Sequence, residues 1–138
     1  MKKTIITKIS LLVVMVMMLT LVSCVQKGPW SDAKFIEDTE LGEGAKTVTV
    51  QLTVGVNTVK FTIHTDAETL AAALLENELV EGEDSQYGLY IKKVNGILAD
   101  YDKNGAYWGF YKDGEYLMSG ADSTYIADGD CYEIVYEK

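Results

Sequence analysis

The sequence predicts an α+β domain in which one helix packs across a mixed β-sheet. Three observations support this prediction: two adjacent runs alternate strictly between apolar and polar residues, one stretch has helical spacing, and the remainder is rich in aromatic residues separated by Gly turns. The chain has 138 residues, which is the usual size of one domain. We therefore expect a single modest hydrophobic core.

The first 23 residues are predicted to be a secretory signal that is removed from the mature protein. Three lysines precede an almost unbroken apolar run over residues 9–22, which is shorter than the roughly 20 residues that a membrane-spanning helix needs. The run ends in Leu-Val-Ser-Cys at residues 21–24, which resembles the bacterial lipobox and implies a lipid on Cys24. A retained membrane anchor and a simple secretory signal are the alternatives. In each case the domain is expected to work at the extracytoplasmic face of the cell membrane.

The charge balance excludes protein classes that bind polyanions. Twelve basic residues, all of them Lys, stand against 21 acidic residues, and the formal net charge is -9. Removing residues 1–23 leaves nine basic and 21 acidic residues, a net charge of -12. Such a chain has no basic surface with which to neutralise phosphates, so nucleic acid is not expected as a partner. For the same reason the lipid on Cys24, rather than charge attraction, is expected to hold the protein at the membrane.

The predicted mature chain begins with a tether, which is followed by a β-hairpin and a helix. Residues 24–45 are predicted to be the lipidated Cys and a flexible tether, because the segment lacks periodicity and contains scattered Gly, Pro and charged residues. The alternative is that Trp30, Phe35 and Ile36, which are unusual in a linker, dock on the domain. Alternating runs at 46–54 and 59–63 predict a β-hairpin with one buried face. A capping box at Thr65-Asp66-Ala67-Glu68 then predicts one helix of about four turns that stops at Gly82.

The remaining part of the domain, to residue 138, is predicted to be β-structure. Asn-Gly and Asp-Gly pairs are typical of tight hairpin turns, and they occur at 95–96 and 113–114. The predicted strands are 87–94, 97–99, 106–112, 116–118 and 131–136. The resulting order ββαβββ, with one helix packed on a mixed sheet, is that of the β-grasp (ubiquitin-like) fold. The domain is therefore predicted to span residues 46–138.

The sequence contains no pattern typical of a catalytic or metal site, and the protein is not expected to be an enzyme. His64 is the only His, and no Gly-x-Ser-x-Gly elbow accompanies it. Residues 100–105 reproduce the opening of a calcium loop, but Tyr111 stands where the bidentate acid belongs. Modification of Cys24 leaves Cys131 alone, and we expect it to be a small buried residue. No metal and no cofactor are therefore predicted.

An aromatic strand is the strongest candidate for a binding site. In residues 107–111, Trp108 and Phe110 face one side, Tyr107 and Tyr111 face the other, and Gly109 lies between them. One face is needed for the core, and the other can present aromatic surface beside a Gly that lets a ligand approach the backbone. The alternative is a sheet that buries one row and exposes a few Tyr without functional consequence.

The chain from residue 46 to 138 resembles the C-terminal β-domain of the transcobalamin and intrinsic-factor family, which also occurs in bacterial lipoproteins. The resemblance is carried by Tyr107-Trp108, Gly120-Ala121-Asp122 and Asp128-Gly129-Asp130, in that order. It implies that Trp108, Gly109 and Phe110 lie against bound cobalamin. Gly109 departs from the carriers, which have Gln there, and the sequence lacks the large helical domain that completes their corrin site.

These observations predict a membrane-anchored lipoprotein that binds a small ligand. Cobalamin or another corrinoid is the candidate, and the expected contacts are Trp108, Gly109, Phe110, Tyr111 and Tyr116. The alternative is a protein–protein interaction or assembly module at the cell surface, in which the same aromatic residues or an exposed sheet edge engage a surface partner protein. In both cases membrane lipid is a partner through Cys24.

Overall fold

The structure is a computed structural model that describes residues 27–138. The signal and the lipidation site predicted for residues 1–24 lie outside these residues. The nine strands are β1 (Thr39–Gly42), β2 (Lys46–Val54), β3 (Asn57–Thr65), β4 (Val80–Ser85), β5 (Gly88–Val94), β6 (Ile97–Leu98), β7 (Tyr107–Lys112), β8 (Glu115–Tyr116) and β9 (Cys131–Glu137). The α-helices are α1 (Leu70–Glu76) and α2 (Tyr101–Asn104), and short 3₁₀ turns occur at Pro29–Asp32 and Ala121–Ser123.

The strands form two sheets. The larger sheet has six strands in the order β1-β3-β2-β9-β7-β8, and the smaller sheet has the order β4-β5-β6. β2 pairs antiparallel with β3 and parallel with β9, while β9 pairs antiparallel with β7. The α+β class is thus confirmed, whereas a β-grasp with the predicted ββαβββ order is not, because the described part of the chain is richer in strands.

The predicted hairpin is confirmed as β2 and β3, whose alternation places one row of side chains in the core. Val50 pairs with Phe61 and Leu52 pairs with Val59, and all four are almost fully buried. Burial of such β-branched and aromatic rows supplies most of the favourable free energy of a small sheet. Helix α1 buries its own apolar stripe within the same core through Leu70, Ala71, Ala73 and Leu74.

Helix α1 is shorter than predicted. It has seven residues, and its N-cap is Thr69, whose hydroxyl accepts a hydrogen bond from the Ala72 N–H at 3.2 Å. Thr65, the predicted cap, ends β3 instead and accepts from the Ala67 N–H at 2.9 Å in a local turn. Residues beyond Glu76 leave the helix because the chain enters β4 at Val80. The capping-box start and the stop at Gly82 are therefore wrong.

The segment before β2 differs from the flexible tether predicted for residues 24–45. Residues 29–42, which we call the strap, pack on the domain: β1 pairs in parallel with β3, and the Phe35 ring meets the Phe61 ring at a centroid distance of 5.8 Å. Trp30 also packs against the core. Apolar side chains at these positions gain more from burial than the segment loses in chain entropy.

The buried side chain of Asn95 fixes the strap. Its Oδ1 accepts from the Phe35 N–H and its Nδ2 donates to the Phe35 carbonyl, both at 2.8 Å. Asn95 adopts φ +52 in the turn between β5 and β6, as the Asn-Gly signal predicts, and has no exposed surface. One residue therefore sets the hairpin turn and docks the strap.

The exposure of Cys131 bears on the prediction of a buried Cys131, and the lengths of the helices bear on whether the described residues can cross a membrane. Cys131 is exposed at the start of β9, contrary to the expected burial, because its side chain shares the outer face of the larger sheet with that of Thr49. Within residues 27–138, no helix is both long enough and apolar enough to cross a membrane.

Candidate functional site

A cleft of about 350 Å³ lies between β7 and the first residues of β5, and we call it the aromatic cleft. The segment that follows β8 closes its remaining side. The side chains and backbone that line it are mainly aromatic, aliphatic or small: Leu89, Tyr90, Ile91, Tyr107, Trp108, Phe110, Tyr116, Leu117, Met118, Ser119, Gly120 and Ala121. None of these residues carries a charge, so the cleft suits an uncharged ligand surface.

The β7 wall of the cleft is held rigidly by Trp108. Its indole is 7% exposed, and Nε1 donates to the Lys92 carbonyl of β5 at 3.1 Å, which ties the two sheets together. The indole also meets the Tyr136 ring edge-on at 5.3 Å. Phe110, two residues along the same face, is half-buried and packs against the core. Trp108 thus supplies a fixed surface rather than a mobile side chain.

The opposite wall is positioned by Asp122. Its Oδ2 accepts from the Leu89 N–H at 3.1 Å and so holds the start of β5 against the 3₁₀ turn. Gly88 and Gly120 leave the space for this carboxylate, because a Cβ at either position would lie 2.5 or 2.7 Å from an Asp122 oxygen. The Gly-Ala-Asp motif therefore shapes the cleft, although the Asp122 carboxylate itself is not part of the lining.

The rim of the aromatic cleft exposes large apolar side chains. Met118 is 93% exposed, Tyr116 is 52% exposed, and Tyr90 and Tyr107 are each about two-fifths exposed. A second depression shares Leu89 and Tyr90 with the cleft and adds Tyr87 at the tip of the β4–β5 hairpin. Exposed apolar residues that cluster around a concavity are typical of binding surfaces.

The other face of β7 is organised around Gly109 and Glu137. A Cβ at Gly109 would lie 3.0 Å from the Glu137 carboxyl carbon, so the glycine provides room for this neighbouring side chain. The Tyr111 hydroxyl donates to Glu137 Oε1 at 2.5 Å. Hydrogen bonding to this carboxylate raises the pKa of Tyr111 to about 12 and also raises the pKa of Tyr107. Gly109 therefore makes room for the Glu137 side chain.

The structure brings together three of the five predicted contact residues. Trp108, Phe110 and Tyr116 line the aromatic cleft, whereas Gly109 and Tyr111 do not. Sequence reasoning missed the β5 wall, Leu89 and Tyr90 above all, because the pairing of two separate sheets has no local signature. The Tyr-rich start of β5 was the one available signal.

The Asp-Gly-Asp motif of residues 128–130 has a structural role. Asp128 Oδ1 accepts from the Thr47 N–H at 2.7 Å, and Asp130 Oδ2 accepts from the Tyr132 hydroxyl at 2.9 Å. Burial favours the protonated form of Asp130, but bonds from the Ala127 N–H, Tyr132 and Lys112 outweigh it and lower the pKa. The motif thus joins the start of β9 to β2, outside the cleft.

The calcium-like segment is also occupied by internal bonds. Asp100 caps α2, since its Oδ1 accepts from the Asp102 N–H at 3.1 Å, and its Oδ2 lies 3.5 Å from Lys92 Nζ. Asn104 Oδ1 accepts from the backbone N–H groups of Asp100 and Ala106. Throughout residues 27–138, no group of three or more His, Cys, Asp or Glu residues is placed to hold a metal ion.

Comparisons with known proteins connect this fold to a family and to two solved structures. Residues 67–138 match the family described as a domain of unknown function, DUF4430. A candidate metal-binding protein from Ruminococcus gnavus is 35% identical, with a TM-score of 0.63 over 68% of this chain and 98% of that one. None of the curated proteins matches the chain.

The second solved structure is haptocorrin in complex with Cbi. It is 20% identical, with a TM-score of 0.55 over 71% of this chain, and this chain spans 26% of the haptocorrin chain. The likeness is one of fold, and it agrees with the resemblance to vitamin carriers predicted from residues 46–138.

Proposed function

Because the chain belongs to the DUF4430 family, whose description assigns no activity, we propose a function from the cleft: the protein binds a small flat molecule there, without catalysis. A corrinoid is the first class to test. One observation carries the proposal: Trp108 and Phe110 of β7 face Leu89 and Tyr90 of β5 across an uncharged cleft. Such facing apolar walls bury the two sides of a planar ligand more completely than one open sheet face.

The size of the aromatic cleft limits how the ligand binds. Its volume of about 350 Å³ lies near the lower end of the roughly 300–1,000 Å³ range of small-molecule sites. A corrin ring with its side chains exceeds this volume, so only one edge of it enters. Affinity of the isolated chain is then expected to be in the micromolar to millimolar range, with a partner protein covering the remaining ligand surface.

We further propose that the domain works outside the cytoplasmic membrane and is anchored by a lipid on Cys24. The lipobox-like residues 21–24 support the anchor. Metal binding, which the description of the Ruminococcus gnavus protein names, does not enter the proposal, because residues 27–138 offer no matching donor group.

We also infer a β-grasp core within the larger sheet. The order β3-β2-β9-β7-β8 has a parallel pair at its centre, and α1 follows the first hairpin, as the predicted fold requires. β1 and the smaller sheet are then additions to that core, and the smaller sheet supplies the second wall of the cleft.

Equilibrium dialysis of the full chain in detergent against cobalamin tests the binding proposal. We expect saturable retention of the vitamin, and we expect Tyr116→Ala to reduce it. Tyr125→Ala is the matched control, because Tyr125 is 74% exposed and lies outside the lining of the cleft. Equal retention by both variants, or no retention at millimolar cobalamin, contradicts the proposal.

The alternative function is a protein-interaction module at the cell surface. It is favoured by Tyr87 and Met118, which are 88% and 93% exposed at the rim, more than a small ligand would require. Tyr87→Ser separates the two functions, since Tyr87 is exposed and does not line the aromatic cleft. If cobalamin binding survives this change, the small-ligand proposal stands.

A further inference from the structure

We infer that the protein is held close to the membrane with one face turned toward the lipid headgroups and with its aromatic cleft directed away from them. This inference rests on the proposed lipid at Cys24. The membrane-facing surface, which we call the strap face, consists of the 3₁₀ turn at Pro29–Asp32 and the groove beside it. Three observations carry the inference: the length of chain before the turn, the bonds that fix the strap, and the direction of the β4–β5 hairpin.

The chain between the lipid site and the folded domain is short. Five residue steps separate Cys24 from Pro29, and even a fully extended chain covers about 18 Å in that distance. A folded body of the 112 residues from 27 to 138 has a radius of gyration of about 13 Å, which corresponds to a diameter of about 34 Å. Because the reach is about half the diameter, the strap face cannot point directly away from the membrane, since the chain would then have to span the whole domain.

The strap cannot lengthen the connection without breaking buried hydrogen bonds. Besides the two bonds between Asn95 and Phe35, the Lys34 N–H donates to the Asn95 carbonyl at 2.9 Å. Gly96 lies so close that a Cβ there would be 2.7 Å from the Asp32 carbonyl oxygen. Release of the strap would leave the amide of a fully buried Asn unpaired, which is costly.

The groove of the strap face has the chemistry of a headgroup contact. Its volume is about 340 Å³, and its lining includes two Lys (Lys34 and Lys93), two Glu (Glu78 and Glu81) and the apolar residues Leu75 and Leu79. The two Lys side chains are about half exposed, and their nearest acidic oxygens, on Glu78 and Glu81, lie 3.9 and 3.6 Å away. Ion pairs of this length at a surface contribute little. The groove therefore presents two ammonium groups and two carboxylates to the zwitterionic headgroup layer, while the exposed Leu75 meets the apolar boundary.

The β4–β5 hairpin sets the direction of the aromatic cleft. At one end of the hairpin, the pair Val80 and Val94 adjoins the groove, and at the other end Ser85 pairs with Gly88. The five residue steps from Val80 to Ser85, at about 3.3 Å each, separate the two ends by about 17 Å. Leu89 and Tyr90, which line the cleft, follow directly after the far end. The cleft is thus presented to the exterior when the groove faces the lipid.

Fluorescence quenching by lipids that carry a headgroup nitroxide tests the orientation. The full acylated chain is placed in vesicles of phosphatidylglycerol and phosphatidylethanolamine that contain the nitroxide lipid. Single labels are introduced by Lys34→Cys at the groove and by Gln86→Cys at the hairpin tip, both with Cys131→Ser to remove the native exposed thiol. We expect severalfold stronger quenching at position 34 than at position 86.

A spacer variant provides the matched control. A Gly-Ser insertion of about 20 residues between Lys27 and Gly28 adds a mean reach of about 25 Å, and it should abolish the difference between the two labels. Equal quenching in the unmodified chain, or a difference that survives the spacer, overturns the inference. Mass spectrometry of the same samples shows whether Cys24 is acylated. An unacylated Cys24 contradicts both the proposed lipid anchor and this inference. Acylation of Cys24 together with equal quenching at the two labels overturns the inference alone.

Discussion

The two faces of strand β7 have opposite roles, although they share one stretch of six residues. On the inner face, Trp108 is buried, bonded to β5, and forms a wall of the aromatic cleft. On the outer face, Gly109 leaves room for the Glu137 carboxylate, which accepts a hydrogen bond from Tyr111. The comparison shows that a glycine between aromatic residues is not by itself a sign of ligand approach, because a side chain from the neighbouring strand fills the space.

The largest expected difference between the faces is in stability. Trp108→Ala removes a buried indole and the bond that joins the two sheets, and we expect the free energy of unfolding to fall by about 3–5 kcal/mol. Tyr107→Ala, on the other face of the strand, should change it by about 1 kcal/mol or less. Urea denaturation followed by circular dichroism measures both. Similar losses of unfolding free energy in the two variants would contradict the placement of Trp108 on the buried face and Tyr107 on the exposed face.

The next difference is in ligand binding. Tyr116→Ala removes an aromatic group from the rim of the cleft, and we expect cobalamin affinity to fall about tenfold, or about 1.4 kcal/mol. Tyr111→Phe keeps the ring that Tyr116 contacts edge-on at 5.4 Å but removes the hydroxyl on the outer face, and it should leave affinity unchanged. Isothermal titration calorimetry decides between these outcomes. A loss of affinity in Tyr111→Phe would place the Tyr111 hydroxyl in the binding site.

Gly109→Ala separates the observed role of this glycine from the role that the sequence predicts. The added methyl group pushes aside the end of a flexible Glu137 side chain, so we expect a loss of about 1 kcal/mol or less in stability and normal cobalamin binding. Thermal unfolding and dialysis measure the two effects. If binding fails while the fold persists, a ligand does approach the backbone at Gly109.

The smallest expected effect is a change in the pKa of Tyr111. Glu137→Gln removes the carboxylate, so the pKa of Tyr111 should fall from about 12 toward the ordinary tyrosine value of about 10. A raised pKa in the folded state stabilises the protein below about pH 10, and this contribution is lost as the pH rises toward 12. The difference in tyrosinate absorbance between wild type and variant follows the shift. An unchanged titration curve would show that Glu137 does not control Tyr111.

Local pattern predicted the elements well where neighbours in sequence are also neighbours in space. The β2–β3 hairpin and the turn at Asn95-Gly96 follow from alternation and turn chemistry, and the same alternation placed Trp108 and Phe110 on one face. The end of α1 could not be found this way, because Thr69 and Thr65 offer equal capping hydroxyls and tertiary contacts select between them.

Contacts distant in sequence were beyond prediction. Trp30 and Phe35 are unusual in a linker, but the sequence does not show where they pack, nor that the amide of Asn95, sixty positions after Phe35, bonds to the Phe35 backbone. The second wall of the cleft depends on Asp122 holding the start of β5, again a contact across 33 positions. Neither hydrophobic periodicity nor helix and strand propensity indicates which distant residues make such contacts.

The fluorescence of Trp108 provides the most direct test of ligand binding at the aromatic cleft. The chain has two Trp residues, so Trp30→Phe leaves Trp108 as the only indole, at the wall of the aromatic cleft. Titration of this variant with cobalamin should quench the emission saturably, and a second change, Tyr116→Ala, should shift the midpoint to higher concentration. Emission that falls only linearly with added cobalamin, identically in both proteins, would contradict binding at the cleft.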